Sequence, residues 1–143
     1  MPETTQIHLD TVRAFLATGY RIGHSSEDIV LHIGQHSERL RRLFADSGVN
    51  CGAFLTAFNP RSTVQPNEVN DQAHAQLAAK LQELGLHAIE GSGSEEGTDW
   101  PAEKSYFALG LALEPAKAIG THFDQDAIVW VGPDAIPQLI LLR

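Results

Sequence analysis

Hydrophobic residues along this chain alternate between helical and strand spacing, and the changes of period mark out the elements. Val12, Phe15 and Leu16 form one apolar helical face behind Asp10, a capping residue, and Gly19 is the expected stop. "YRIG" and "DIVLHIG" predict two short strands around the turn "HSSE", with Ile29, Leu31 and Ile33 on one face. Leu40, Leu43 and Phe44 return to helical spacing between about His36 and Asp46, ahead of Gly48. "CGAFLTAF" is apolar on both faces, as an interior strand covered by helices should be. Pro66 suits the first turn of a third helix whose buried stripe is Val69, Ala73, Leu77, Leu81 and Leu84, ending at Gly85. "LHAIE" predicts a short strand and "KSYFALGLAL" a longer one. Pro115 opens a short helix ending near Phe123, and "DAIVWVG" and "PQLILLR" close the chain as paired strands. The order α-β-β-α-β-α-β-β-α-β-β predicts an α+β fold: one globular domain over residues 1–143, a mixed sheet with helices packed on it.

Composition narrows the function classes. The chain has 143 residues, enough for a core that needs no staples. Cys51 is the only cysteine, so no internal disulfide forms, which fits a reducing cytoplasm. "MPETTQIHLD" has neither the basic region nor the apolar core of a signal peptide, and no apolar run approaches the roughly 18 residues of a membrane span. A net charge of -8 argues against a broad duplex-binding surface, although "ERLRR" places three cations together. Nothing in the sequence sets an oligomeric state.

The stretch "FLTAFNPRS" carries the first candidate chemistry. Pro60 ends the strand and biases Asn59 towards extended geometry. Arg61 and Ser62 then fall between the strand's carboxyl end and the helix starting near Pro66, a usual ligand crevice in open sheets. Arg61 offers a planar fork for an anion beside that helix start. Asn67, Asn70 or Asp71, and His74 share a helical face nearby, and His74 is a candidate acid or base. The bland alternative is a turn in which Asn59 and Ser62 satisfy the backbone while Arg61 and His74 are surface residues. In "GTDWPAEKS", Glu103 is a candidate base or cation partner and Trp100 a stacking group or loop anchor. Gln125 and Asp126 stand at a strand entrance. "EGSGSEEGTDW", Glu90 to Trp100, predicts a solvated, mobile loop.

Phosphate loops, dinucleotide glycine fingerprints, His-Glu-x-x-His and Cys-x-x-Cys do not occur. His32 and His36 span a predicted strand-to-helix junction and share no face, so neither a metal nor a cofactor is expected; Cys51 is expected in the core.

The chain resembles a bacterial family, the domain-of-unknown-function family 3293, from about Tyr20 to Leu142. The resemblance rests on "IG" before the second helix, "FLTAFNPRS", "NEVN" and its helix, "WPAEKSYFALGL" and "FDQDAIVW". The family pattern often has asparagine where this chain has Asp126. The resemblance implies no activity, but it groups Thr56, Asn59, Pro60, Arg61, Ser62, Asn70, Glu103 and Gln125 into one shared feature.

Three functions remain open on the residues. The leading expectation is a cytoplasmic domain binding a small anionic or nucleotide-like ligand, with hydrolase or transferase chemistry open. Glu103 and His74 would be its catalytic candidates, and Thr56, Asn59, Arg61, Ser62, Asn70, Trp100 and Gln125 its ligand contacts. The alternative is a non-catalytic interaction module in which the same residues form a structural knot. A third, an RNA-acting nuclease or toxin, requires Arg39, Arg41, Arg42 and Arg61 on one surface.

Overall fold

The computed structural model describes residues 5–23, 28–95 and 102–143. Its elements follow the predicted order: α1 (Leu9–Ala17), β1 (Thr18–Ile22), β2 (Ile29–Leu31), α2 (Glu38–Ser47), β3 (Gly52–Leu55), a 3-10 turn at Pro60–Ser62, α3 (Asn67–Glu83), β4 (His87–Glu95), β5 (Glu103–Leu109), α4 (Leu113–His122), β6 (Ala127–Val131) and β7 (Pro137–Leu141). The strands form one seven-stranded sheet in the order β2-β1-β4-β5-β3-β6-β7.

The α+β class is the one expected, but the sheet is not mixed. Each described pairing is antiparallel. Three hairpins, β1–β2, β4–β5 and β6–β7, account for half of those pairings, and hairpins are antiparallel by geometry. β3 is interior, between β5 and β6, and Ala53, Phe54, Leu55 and Ala57 are buried as its two-sided apolar pattern requires.

Alternation along the strands divides the core in two. Tyr20, Phe54, Phe107, Val129 and Val131 face one side, where Leu40 and Phe44 of α2 pack on them. Ala53, Leu55, Ala108 and Ile128 face the other, against Leu77 and Leu81 of α3 and Ala116 and Ile119 of α4. The sheet is curled. Gly34 N–H, beyond edge strand β2, donates to Pro137 O at the start of the opposite edge strand, and Ser37 N–H donates to Ala135 O. Side chains from β2 at one edge through to β6 near the other meet in the cluster under α2, so the α2 face is the concave one. α2 is capped by Ser37 Oγ and ends at Gly48 in the left-handed region (φ 70°), where a side chain would be strained.

Several local expectations change. The cap of α1 is His8, whose Nδ1 accepts from Asp10 N–H, and Asp10 lies in the first turn. Gly19 does not end the helix: α1 runs straight into β1, where Gly19 faces Ser94. Val69 and Leu84 at the ends of the α3 stripe are exposed, because only its middle overlies the sheet. Cys51 is half-buried and precedes β3. The largest difference is at "EGSGSE". Residues expected as loop form β4, paired with β1 and with β5, while residues 96–100 of the predicted loop lie outside the described residues.

Candidate functional site

A cavity of about 310 Å3 lies between α1 and the concave face. Its floor alternates along the strands: Tyr20 from β1, Gly93 from β4, Glu103 and Ser105 from β5, and Phe54 with Thr56 on and beyond β3. Val129 and Leu139 add an apolar end. Its roof is Asp10, Thr11, Ala14 and Phe15 of α1, a helix with no buried residue of its own. Two floor residues tie the roof down. Thr18 Oγ1 donates to Ala14 O at 2.7 Å, and Tyr20 Oη donates to Phe15 O at 2.8 Å. Burial pushes the Tyr20 phenol well up; the neighbouring Thr18 hydroxyl opposes this and the Glu103 charge adds to it, so Tyr20 acts as a neutral donor.

The loop "NPRS" closes one side of the cavity by an unusual path. Asn59, Arg61 and Ser62 all have positive φ, 46°, 55° and 56°. Asparagine tolerates that region, while arginine and serine there need support. Support comes from the α4–β6 connection: Arg61 N–H donates to Asp124 O at 2.8 Å, and Ser62 Oγ donates to Asp126 Oδ2 at 2.7 Å. Asp126 is buried, and Arg143 Nε donates to its other oxygen at 2.6 Å.

Asn59 is 6% exposed and Asn70, on α3, 2%. They bond reciprocally: Asn59 N–H donates to Asn70 Oδ1, and Asn70 Nδ2 donates to Asn59 Oδ1, both at 2.9 Å. Gln65 N–H also donates to Asn59 Oδ1 at 3.0 Å. A backbone N–H only donates, so the oxygen of the Asn59 amide must face it. Asn59 Nδ2 then faces the cavity, where it donates to Glu103 Oε2 at 2.7 Å. The backbone thus sets the polarity of the Glu103 contact, and Oε2 is held as an acceptor.

The candidates separate accordingly. Thr56, Asn59, Ser62, Glu103 and Gln125 line the cavity, and Asn70 stands behind Asn59. Arg61 does not line it; it pairs at 3.6 Å with Asp124, both side chains more than half exposed. His74 lies on the other face of the sheet, stacked on Tyr106 with ring centroids 4.4 Å apart. Strand alternation explains this: Glu103 and Ser105 face the cavity, so Lys104 and Tyr106 face α3. Trp100 lies outside the described residues. The hollow that gathers these residues is not the strand-to-helix crevice expected beside α3 but the cavity on the sheet's concave face. Tyr20, Ser105 and the α1 roof were missed. The i, i+2 spacing of Glu103 and Ser105 was available as a signal, whereas α1 over β1 was not. Among the described residues, no three His, Cys, Asp or Glu side chains group as a metal site requires, and no helix is long and apolar enough to cross a membrane.

Comparison with known proteins bears on the same segment. Neither the curated proteins nor the solved structures contain a match to this chain. One family model, described as "Protein of unknown function (DUF3293)", matches residues 55–128, just over half of the 143. That span begins at the end of β3 and takes in the "NPRS" loop, α3, Glu103 and Gln125. The chain belongs to the DUF3293 family.

Proposed function

We propose that this protein binds a small molecule in the cavity beneath α1, with Glu103 as the principal polar contact and the general base of any reaction there. The observation that carries the reading is the 2.7 Å bond from Asn59 Nδ2 to Glu103 Oε2. Two nearly fully buried asparagines and a backbone N–H orient one carboxylate at the floor of an otherwise largely apolar hollow. Orienting a reactive group by a buried network is how sites are preorganised. The anion expected from Arg61 has no support in this geometry, since that guanidinium pairs with Asp124 outside the cavity. A reducing, cytoplasmic setting fits the lone Cys51. Screening small fragments by amide NMR tests the reading. Ligands should perturb Gly93, Glu103 and Ser105 together and weaken in Glu103→Gln. A screen whose hits all map to the convex face, with these amides unmoved, would refute it.

The interaction-module reading has one observation in its favour: the polar groups of the "NPRS" loop are largely bonded to one another and to the α4–β6 connection. It predicts that Glu103→Gln leaves small-molecule binding unchanged. The nuclease reading finds less support. Arg39 Nη1 donates to Asp28 O, Arg41 pairs with Glu38, and Arg61 pairs with Asp124.

A further inference from the structure

We infer that the cavity's ligand is a hydrogen-bond donor, an ammonium carried on a flat apolar body. This inference rests on the reading of the cavity as a binding site, and adds the chemical class of what enters it. It follows from which way the lining protons point. A hydroxyl has one proton to give. That of Thr18 goes to Ala14 O, that of Tyr20 to Phe15 O, and that of Thr56 to Lys104 O. Ser62 donates to Asp126, and Ser105 donates to Glu103 O at 3.2 Å. The Gln125 amide nitrogen donates to Phe58 O at 3.1 Å and Phe123 O at 3.4 Å. Each of these lining groups therefore has its donor engaged within the protein, as has Asn59 Nδ2 on Glu103, while the hydroxyl oxygens keep lone pairs; Thr11 and Ser94 are the remaining lining hydroxyls.

Charge runs the same way. Glu103 lines the floor, where Asn59 Nδ2 donates to it, and Asp10 and Glu95 lie at the α1 side; Asp10 is partly offset by Arg13 at 3.9 Å, and Glu95 and Glu103 have further interactions within the chain. Among the described residues, none of the lining side chains is Lys, Arg or His. An anion entering here would meet three carboxylates with no lining cation among the described residues to match its charge. An ammonium would meet acceptors. The body of the ligand is set by the Tyr20 and Phe54 rings, edge to face with centroids 5.2 Å apart, and by Val129 and Leu139. Aromatic walls of this kind suit a flat apolar group with a nearby cation.

Three probes of one shape and different charge test it: 2-phenylethylammonium, 2-phenylethanol and phenylacetate, titrated into the full chain and followed by amide NMR. The ammonium should shift Gly93 and Ser105 saturably, more tightly than the alcohol, while phenylacetate leaves both unmoved. Losing a charge-assisted hydrogen bond should weaken the ammonium about 10-fold in Glu103→Gln. Glu95→Gln should weaken it less and reports the same charge dependence should Glu103→Gln not fold. Phenylacetate or the alcohol binding at these amides as tightly as the ammonium would overturn the ligand class and leave the cavity reading standing. So would an unweakened ammonium in a folded Glu103→Gln. Silence from all three probes at these amides, with saturable shifts elsewhere, would remove the cavity reading itself and this inference with it.

Discussion

His74 lies flat on Tyr106, ring planes 6° apart and centroids 4.4 Å apart, on the face of the sheet opposite the cavity. Phe58 meets the same imidazole edge-on at 5.8 Å. An aromatic sandwich with a buried, unpartnered Nδ1 is a packing arrangement for a neutral ring. Burial holds the His74 pKa below its ordinary value, and Lys104 lowers it further against the opposing pull of Glu90 and Asp71. The folded value is thus below the unfolded one, so the unfolded chain binds the proton first. His74's contribution to stability is complete above the unfolded value, near 6.5, and is lost as the pH falls through the folded value. Urea midpoints should fall between pH 7 and pH 5, and His74→Phe, which keeps the stack without the titration, should flatten that slope. An equal slope in the variant would place the titration elsewhere.

Asn70 should matter to stability more than any surface asparagine. Its Oδ1 accepts from Asn59 N–H and from Gln65 Nε2, and its Nδ2 donates to Asn59 Oδ1. Asn70→Ala leaves the buried Asn59 N–H unsatisfied and should cost about 2–3 kcal/mol in denaturant unfolding. Because Asn59 would lose one of its two clamps, ligand binding at Glu103 should also weaken at temperatures where the variant remains folded.

Two glycines of β4 should behave oppositely. A Cβ on Gly91 would sit 2.2 Å from Arg21 O, a backbone atom of the paired strand, so Gly91→Ala must displace β1 and should destabilise by about 1–3 kcal/mol or more. A Cβ on Gly93 would meet Thr18 and Tyr20 side chains at 3.6–3.8 Å, ordinary contact. Gly93→Ala should leave the melting temperature equal or slightly higher, since alanine replaces glycine within a strand, while narrowing the cavity floor. Thermal unfolding of both variants, with the probe titration on the second, checks the pair.

The Asp126 pair supplies a separate test. Its carboxylate is buried and takes Arg143 Nε at 2.6 Å and Ser62 Oγ at 2.7 Å. Arg143→Ala leaves a buried charge with one of its two donors and should cost about 1–3 kcal/mol. In the double variant Arg143→Ala/Asp126→Asn the cost should be smaller than in Arg143→Ala alone, because the uncompensated charge is gone. A double variant less stable than Arg143→Ala would show that the hydrogen-bond geometry at Asp126, and not its charge, holds the connection.

The sequence by itself determined the order of helices and strands, the interior place of β3 and the helix ends at Gly48 and Gly85. These depend on side-chain period, two-sided burial and backbone conformation, all of which are local. Ala53 through Leu55 could only be buried on both faces, whatever paired with them. That a loop follows β3 near Pro60 was also legible, since proline has no place in a central strand, although the strand already stops at Leu55.

What only the tertiary structure decided was which face and which neighbour each residue met. "EGSGSE" has the composition of a loop, yet it forms a strand, because Gly91 lies against Arg21 O where a side chain has no room and Gly93 leaves the cavity open. Glu103 and His74 were both catalytic candidates in the sequence. The alternation of β5 puts Glu103 on the concave face, while α3 and with it His74 pack on the convex one. Arg61 could have reached an anion, but its left-handed backbone and the bond to Asp124 O hold it outside the cavity. Strand pairing joins residues far apart in the chain, such as Asn59 and Glu103, and the period of a segment carries no record of the segment it will pair with.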